Sequence, residues 1–195
     1  MDDIADILKS KFDNIKKVGK NVPIIKAKCK EINIFVDISI NQKGEKAANT
    51  IKNIISENPI LKYVFIVLKN ILKPCMNTFK GGISSFLLFH LIYYFYFVSE
   101  KSKNVLYYVN NFFNFYNDFE YKLYAIKVFD GSCYRVVKKH EEKKLSVISL
   151  LDEEECNVAA RCYNYKKALE CFDSILTEKL NGCFPQEILK FLNIN

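Results

Sequence analysis

Between Ile83 and Val98 the chain reads ISSFLLFHLIYYFYFV, a run so apolar that a helix made from it has no face suited to water. A bilayer requires about 20 such residues. This run is shorter and contains Ser84, Ser85 and His90, so it reads as a buried core helix rather than a membrane span. With 195 residues, 50% of them hydrophobic, the chain is long enough to bury one substantial core, or one core with a small appended unit. The surrounding periodicity is helical as well. Apolar spacing predicts helices over Ala47 to Glu57, Ile60 to Lys73, Ser84 to Val98 and Val105 to Tyr116, with turn signals at Asn58-Pro59, Pro74 and Gly81-Gly82. In the second of these, Leu61, Val64, Phe65, Leu68, Ile71 and Leu72 form one stripe and Lys62, Lys69 and Lys73 gather opposite, giving a core side and a basic ridge.

The first forty residues read differently. MDDIADILKSKF lacks an apolar core behind a basic start, so it is no signal peptide, and its pattern is that of an amphipathic helix. Val22 to Cys29 and Ile32 to Ile40 are β-rich runs a few polar residues apart, as in an antiparallel hairpin. In the second run Ile32, Ile34, Val36, Ile38 and Ile40 alternate onto one face, and Asn33, Phe35, Asp37 and Ser39 onto the other. Further on, Tyr121 to Val137, interrupted at Asp130-Gly131, reads as a small hairpin, and Asn164 to Leu180 as a late helix. There is no internal repeat or low-complexity linker.

Composition removes several function classes. Twenty-nine Lys and Arg against 22 Asp and Glu leave a formal charge of +7, which favours polyanionic partners without choosing among nucleic acid, nucleotides and anionic membrane. Seven cysteines (Cys29, Cys75, Cys133, Cys156, Cys162, Cys171, Cys183) lack the paired short spacing of a zinc site. Their odd number argues against a full disulfide framework, so reduced intracellular thiols are expected. His90 is expected in the core and His140 on the surface.

The order VPIIK, VDISI, GEKAANTIKNII, NPILKYVFIVLKNILK, GGISSF, NVLYYVNNFFNFY and ECNVAARCYNY resembles the Trf-type nuclear poly(A) polymerases of the DNA polymerase β-like nucleotidyltransferase superfamily over nearly the whole chain. The resemblance implies an α+β fold: a partial catalytic palm (helix plus β-hairpin, residues 1–43) joined to a mainly helical central domain (44–195) that includes a PAP-associated region near 104–165. It implies addition of adenylates from ATP to RNA 3′ ends with Mg²⁺ or Mn²⁺, a nuclear location, no membrane, and zinc-knuckle RNA-binding and RNA-helicase partners in a TRAMP-like complex.

By the same resemblance, Asp37 matches the third metal-binding carboxylate and Lys69 and Lys73 match the lysines that meet the β- and γ-phosphates, where compact ammonium charges suit a polyphosphate. Ser85 matches a phosphate contact at a helix start, and Phe86 a base-stacking aromatic that is usually Tyr. Asn49 and Thr50 resemble ribose contacts. Asn157 to Arg161, NVAAR, resembles the base-recognition motif N-D-[VI]-[SG]-R, in which Asn157 both donates and accepts and Arg161 closes the motif.

Two departures stand beside these matches. No Gly-Ser loop or D-x-D strand precedes the opening segment, so two of the three metal-binding aspartates are expected to be missing from this chain. Val158 and Ala160 replace the acid and the small polar residue of the recognition motif. The sequence therefore supports an RNA adenylyltransferase or its C-terminal body, with a catalytically silent nucleotide- or RNA-binding scaffold as the alternative.

Overall fold

The computed structural model describes residues 7–18, 24–39, 42–129, 132–138, 145–149 and 156–164, with Lys167, Glu170, Phe172, Ser174 and Thr177 beyond them. It combines helices and sheets in an α+β fold. The chain divides into two compact units, residues 1–45 and 46–195.

The smaller unit is a three-stranded antiparallel sheet in the order β1 (Phe12–Val18), β2 (Ile24–Cys29), β3 (Phe35–Ser39). The expected pairing of the two β-rich runs is present, with Ile25 opposite Ile38 and Ala27 opposite Val36. Ile25 and Ala27 are fully buried, so these four residues make the apolar face. The isoleucine stripe is shorter than its alternation suggests. Asn33 adopts a left-handed φ of 57°, Asn33 N–H and Cys29 N–H close a turn onto Cys29 O and Ile34 O, and Ile32 and Ile34 are left exposed.

The expected opening helix falls only in part on described residues. Residues 1–6 lie outside the described residues, only 7–8 are helical, and Phe12 onward pairs with β2. A bulge between Asp13 and Lys16, with Asn14 at φ 54°, breaks the alternation that would have announced this strand.

The larger unit is built around four helices: α1 (Gln42–Glu57), α2 (Ile60–Ile71), α3 (Ser85–Val98) and α4 (Val105–Asn117). The apolar run forms α3, in which every side chain from Leu87 to Phe95 is buried. α2 presents Leu61, Val64, Val67 and Leu68 to the core and packs on α3 and α4. Aromatic rings fill the seam: Phe95 meets Phe112 and Tyr108 edge to face, and Phe112 and Phe113 both meet Phe172; most of the expected late helix, Asn164 to Leu180, lies outside the described residues. Tyr116, wholly buried, donates its hydroxyl to Leu91 O at 2.7 Å, which satisfies its one polar atom.

A four-stranded sheet, ordered β5 (Cys133–Val137), β4 (Tyr124–Val128), β6 (Val147–Ser149), β7 (Cys156–Asn157), packs on α3. The expected hairpin is β4–β5; β4 pairs parallel with β6, and β6 pairs antiparallel with β7. His90, in the core as expected, links α3 to β6 through Ser149. No helix among the described residues is long and apolar enough to cross a membrane. His140 lies outside the described residues.

Cys75 is disulfide-bonded, contrary to the expectation of reduced thiols, and its partner lies outside the described residues. An odd cysteine count rules out complete pairing but not one bond. Cys29, Cys133 and Cys162 are free, and burial pushes Cys133 up to about 12 and Cys162 up to about 11, which keeps both protonated and unreactive.

Burial lowers the His90 pKa from 6.5 to about 4. The folded state therefore holds a neutral ring while the unfolded chain takes up a proton below 6.5, so stability present above pH 6.5 is lost as pH falls toward 4. About 3 kcal/mol is lost across that window. Urea unfolding at pH 7 and pH 4 is expected to show this loss, and a His90→Leu variant is expected to lose about 3 kcal/mol less than wild type between the same two pH values.

Candidate functional site

After α2 the chain turns twice in 3₁₀ form, at Lys73–Cys75 and Thr78–Lys80, before entering α3 through Gly81-Gly82. The turn is tight. Gly82 N–H donates to Asn77 O, and Ile83 N–H to Cys75 O. A β-carbon on Gly82 would lie 2.3 Å from Cys75 O and 2.9 Å from Asn77 N, both backbone atoms that cannot swing aside. Gly81 has a left-handed φ of 73°, and a β-carbon there would strike the ring of Tyr163 at 2.6 Å.

The two serines that follow divide their duties. Ser84 is the N-cap of α3, its hydroxyl accepting from Leu87 N–H at 3.0 Å, a contact worth about 1 kcal/mol. Ser85 stands exposed in the first turn with no side-chain hydrogen bond among the described residues, beside helix N–H groups and the positive end of the dipole. Phe86 is half-buried, its ring edge to face with His90 at 4.5 Å between centroids.

Lys69 and Lys73 are both exposed, at the end of α2 and the start of the first 3₁₀ turn. Lys69 Nζ lies 5.7 Å from the centre of the Phe65 ring, and neither lysine has an ion pair among the described residues.

The segment after β7 docks on the glycine turn. Asn164 N–H donates to Gly81 O at 3.1 Å, and a cavity of 360 Å³ has Thr78, Gly82 and Ser84 on one side and Val158, Arg161 and Cys162 on the other. A second cavity of 330 Å³ is lined by Asn77 and Lys80 from the turn and by Asn164 and Lys167 from the later segment. The structure thus brings the NVAAR segment to the glycine turn, and the turn in one piece with Lys73. Tyr163, whose ring covers Gly81, escapes sequence reasoning, because nothing local distinguishes it from its neighbours in RCYNY.

Asn157 differs from its sequence reading. Its Oδ1 accepts from both Val147 N–H at 3.2 Å and Ala159 N–H at 3.0 Å, so its carbonyl is spent on the backbone. Only the Nδ2 donor is left for a ligand, and Asn157 does not both donate and accept toward one. The altered positions Val158 and Ala160 do not open the loop: Val158 N–H donates to Val147 O, Ala160 N–H to Asn157 O and Cys162 N–H to Ala159 O.

The remaining candidates are carried by other elements. Asn49 is exposed and Thr50 half-buried on α1. Asp37 belongs to the smaller unit, on the polar face of edge strand β3, where Lys26 on β2 pairs with it at 3.5 Å. Among the described residues no group of three or more His, Cys, Asp or Glu could hold a metal ion. One exposed carboxylate already facing an ammonium does not fit a pair of divalent ions.

The same arrangement of elements occurs in solved structures. The polymerase core of TRAMP, an RNA surveillance complex, superposes with a TM-score of 0.79 at 22% identity, over 95% of this chain and 64% of that one. The mtPAP complex with GTP gives 0.73 at 14%, over 91% of this chain and 47% of that one. Terminal uridylyl transferase 4 from Trypanosoma brucei with bound CTP gives 0.70 at 13%, over 90% and 69%. The chain shares the fold of these solved structures. The chain spans 64% of the first of these structures and about half of the second. No family model matches the sequence.

Two substitutions separate folding from recognition here. Gly82→Ala is expected to cost more than about 2 kcal/mol in denaturant unfolding, because the clash is with backbone. Asn157→Asp keeps the acceptor oxygens and is expected to leave amide exchange at Val147 and Ala159 near wild type. Asn157→Ala removes them and is expected to speed that exchange about tenfold.

Proposed function

We propose that the larger unit binds a nucleoside triphosphate, ATP by preference, and is the C-terminal body of an RNA 3′-terminal nucleotidyltransferase of the Trf type. In this reading Lys69, Lys73 and Ser85 meet the phosphates, Phe86 stacks on the base, and Asn157 donates Nδ2–H to a base acceptor, with Arg161 beside it. Asn49 and Thr50 border the ribose. The observation that carries it is the docking of the NVAAR segment on the glycine turn, with Arg161 opposite Gly82 and Ser84 across one cavity. A phosphate-binding helix start and a base-reading loop need that proximity to grip one ligand.

Asp37 is assigned no catalytic step, since the residues around it do not fit the ions that nucleotidyl transfer requires. That observation also favours the second reading, a scaffold that holds nucleotide or RNA without tailing it. The nuclear location, the RNA 3′-end substrate and the zinc-knuckle and helicase partners of a TRAMP-like complex belong to this proposal. The net charge of +7 is consistent with an RNA partner.

Equilibrium binding of ATP to the purified chain, with and without an RNA primer and Mg²⁺, tests both readings. The chain alone is expected to bind ATP weakly and to add no adenylates. Lys69→Ala and Lys73→Ala are each expected to weaken ATP binding roughly tenfold, the cost of one charge-assisted phosphate contact. Unchanged affinity in the double variant would remove the triphosphate assignment, and tailing abolished by Asp37→Ala would overturn the scaffold reading.

A further inference from the structure

Among the described residues His90 and Ser149 are the only fully buried polar side chains outside the aromatic hydroxyls. His90 Nδ1 lies 2.8 Å from Phe86 O, and Nε2 lies 2.8 Å from Ser149 Oγ. A carbonyl oxygen only accepts, so Nδ1 carries the hydrogen. Nε2 is then the acceptor, and Ser149 donates its hydroxyl to it. Two hydrogen bonds on different edges fix the plane of the imidazole.

Each end of this link reaches a base contact proposed above. On one side the Phe86 ring packs against the fixed imidazole, with 4.5 Å between centroids and 70° between planes. On the other, Ser149 pairs with Cys156 and Ile148 with Asn157 across β6 and β7. Val147, two residues before Ser149, donates to Asn157 Oδ1 and accepts from Val158 N–H. The route from the stacking ring to the reading amide is therefore one ring contact, one side-chain hydrogen bond and one strand register.

Stability does not explain the pair. Replacing both partners of a buried polar contact with apolar groups of similar shape is often nearly neutral, whereas a satisfied buried pair fixes geometry. We infer that His90 is a positioning residue: with Ser149 it holds the ring of Phe86 and the Asn157 turn in one arrangement around the base of a bound nucleotide. This inference rests on the reading of Phe86 and Asn157 as base contacts.

The test compares Ser149→Ala, Ser149→Thr and the His90→Leu, Ser149→Ala double variant with wild type. ATP affinity, inorganic tripolyphosphate affinity, thermal midpoint and amide exchange at Val147 and Ala159 are measured for each. The inference expects Ser149→Ala and the double variant to weaken ATP about five- to tenfold and tripolyphosphate by less than about twofold. Exchange at the two amides should rise, and Ser149→Thr, which keeps the hydroxyl, should recover most of the ATP affinity.

A double variant that recovers wild-type stability yet stays weak for ATP separates positioning from folding. Parallel loss of ATP and tripolyphosphate binding, tracking the thermal midpoint, would mean a purely structural role and overturn the inference. If wild type binds neither ligand, the nucleotide reading fails by itself, and amide exchange still decides the link. Faster exchange at Val147 and Ala159 in Ser149→Ala supports it, and unchanged exchange overturns it.

Discussion

A helix with no polar side governs the larger unit. α3 buries nine consecutive residues, so it must be covered on every flank, and α2, α4 and the second sheet share that covering. Because α3 cannot rotate without uncovering apolar surface, its first turn is held in place. The exposed Ser85 and the half-buried Phe86 inherit that fixity from the core behind them. The glycine turn, the lysines at the end of α2 and the segment after β7 all approach this one rigid end.

Helical periodicity made most of that core legible from sequence. The ends of α3 and α4 fall within one residue of their sequence boundaries, and α2 stops at Ile71, where Pro74 ahead forces a change to 3₁₀ turns. α1 begins at Gln42, five residues before the apolar pattern does, because its first turn is polar and carries no periodic signal. The strands were less readable. β6 and β7 are too short to show alternation, and β1 hides its own behind a bulge at Asn14.

The candidate site was legible where chemistry and turn residues coincide, as in Gly81-Gly82 and the basic ridge of α2. It was illegible where the geometry depends on contacts made across the sequence. Oδ1 of Asn157 is committed to backbone N–H groups, one of them ten residues away, and no local pattern reveals that. His90 looked like core filler until Ser149, 59 residues later, supplied its partner. The disulfide at Cys75 is of the same kind, a single bond that an odd cysteine count neither excludes nor reveals.

The tightness of the glycine turn also bears on how relatives of this chain should be judged. Gly82 is demanded by Cys75 O and Asn77 N, and Gly81 by its φ and by Tyr163, so both would persist in a descendant that had stopped binding any ligand. A motif retained for its backbone is a poor witness to activity. Lys73 and Ser85 have no such structural duty among the described residues, since each stands exposed without a side-chain bond. On the proposed assignment of these two side chains to phosphate, their drift across related sequences, more than the loss of either glycine, would mark the point at which a lineage gave up nucleotide.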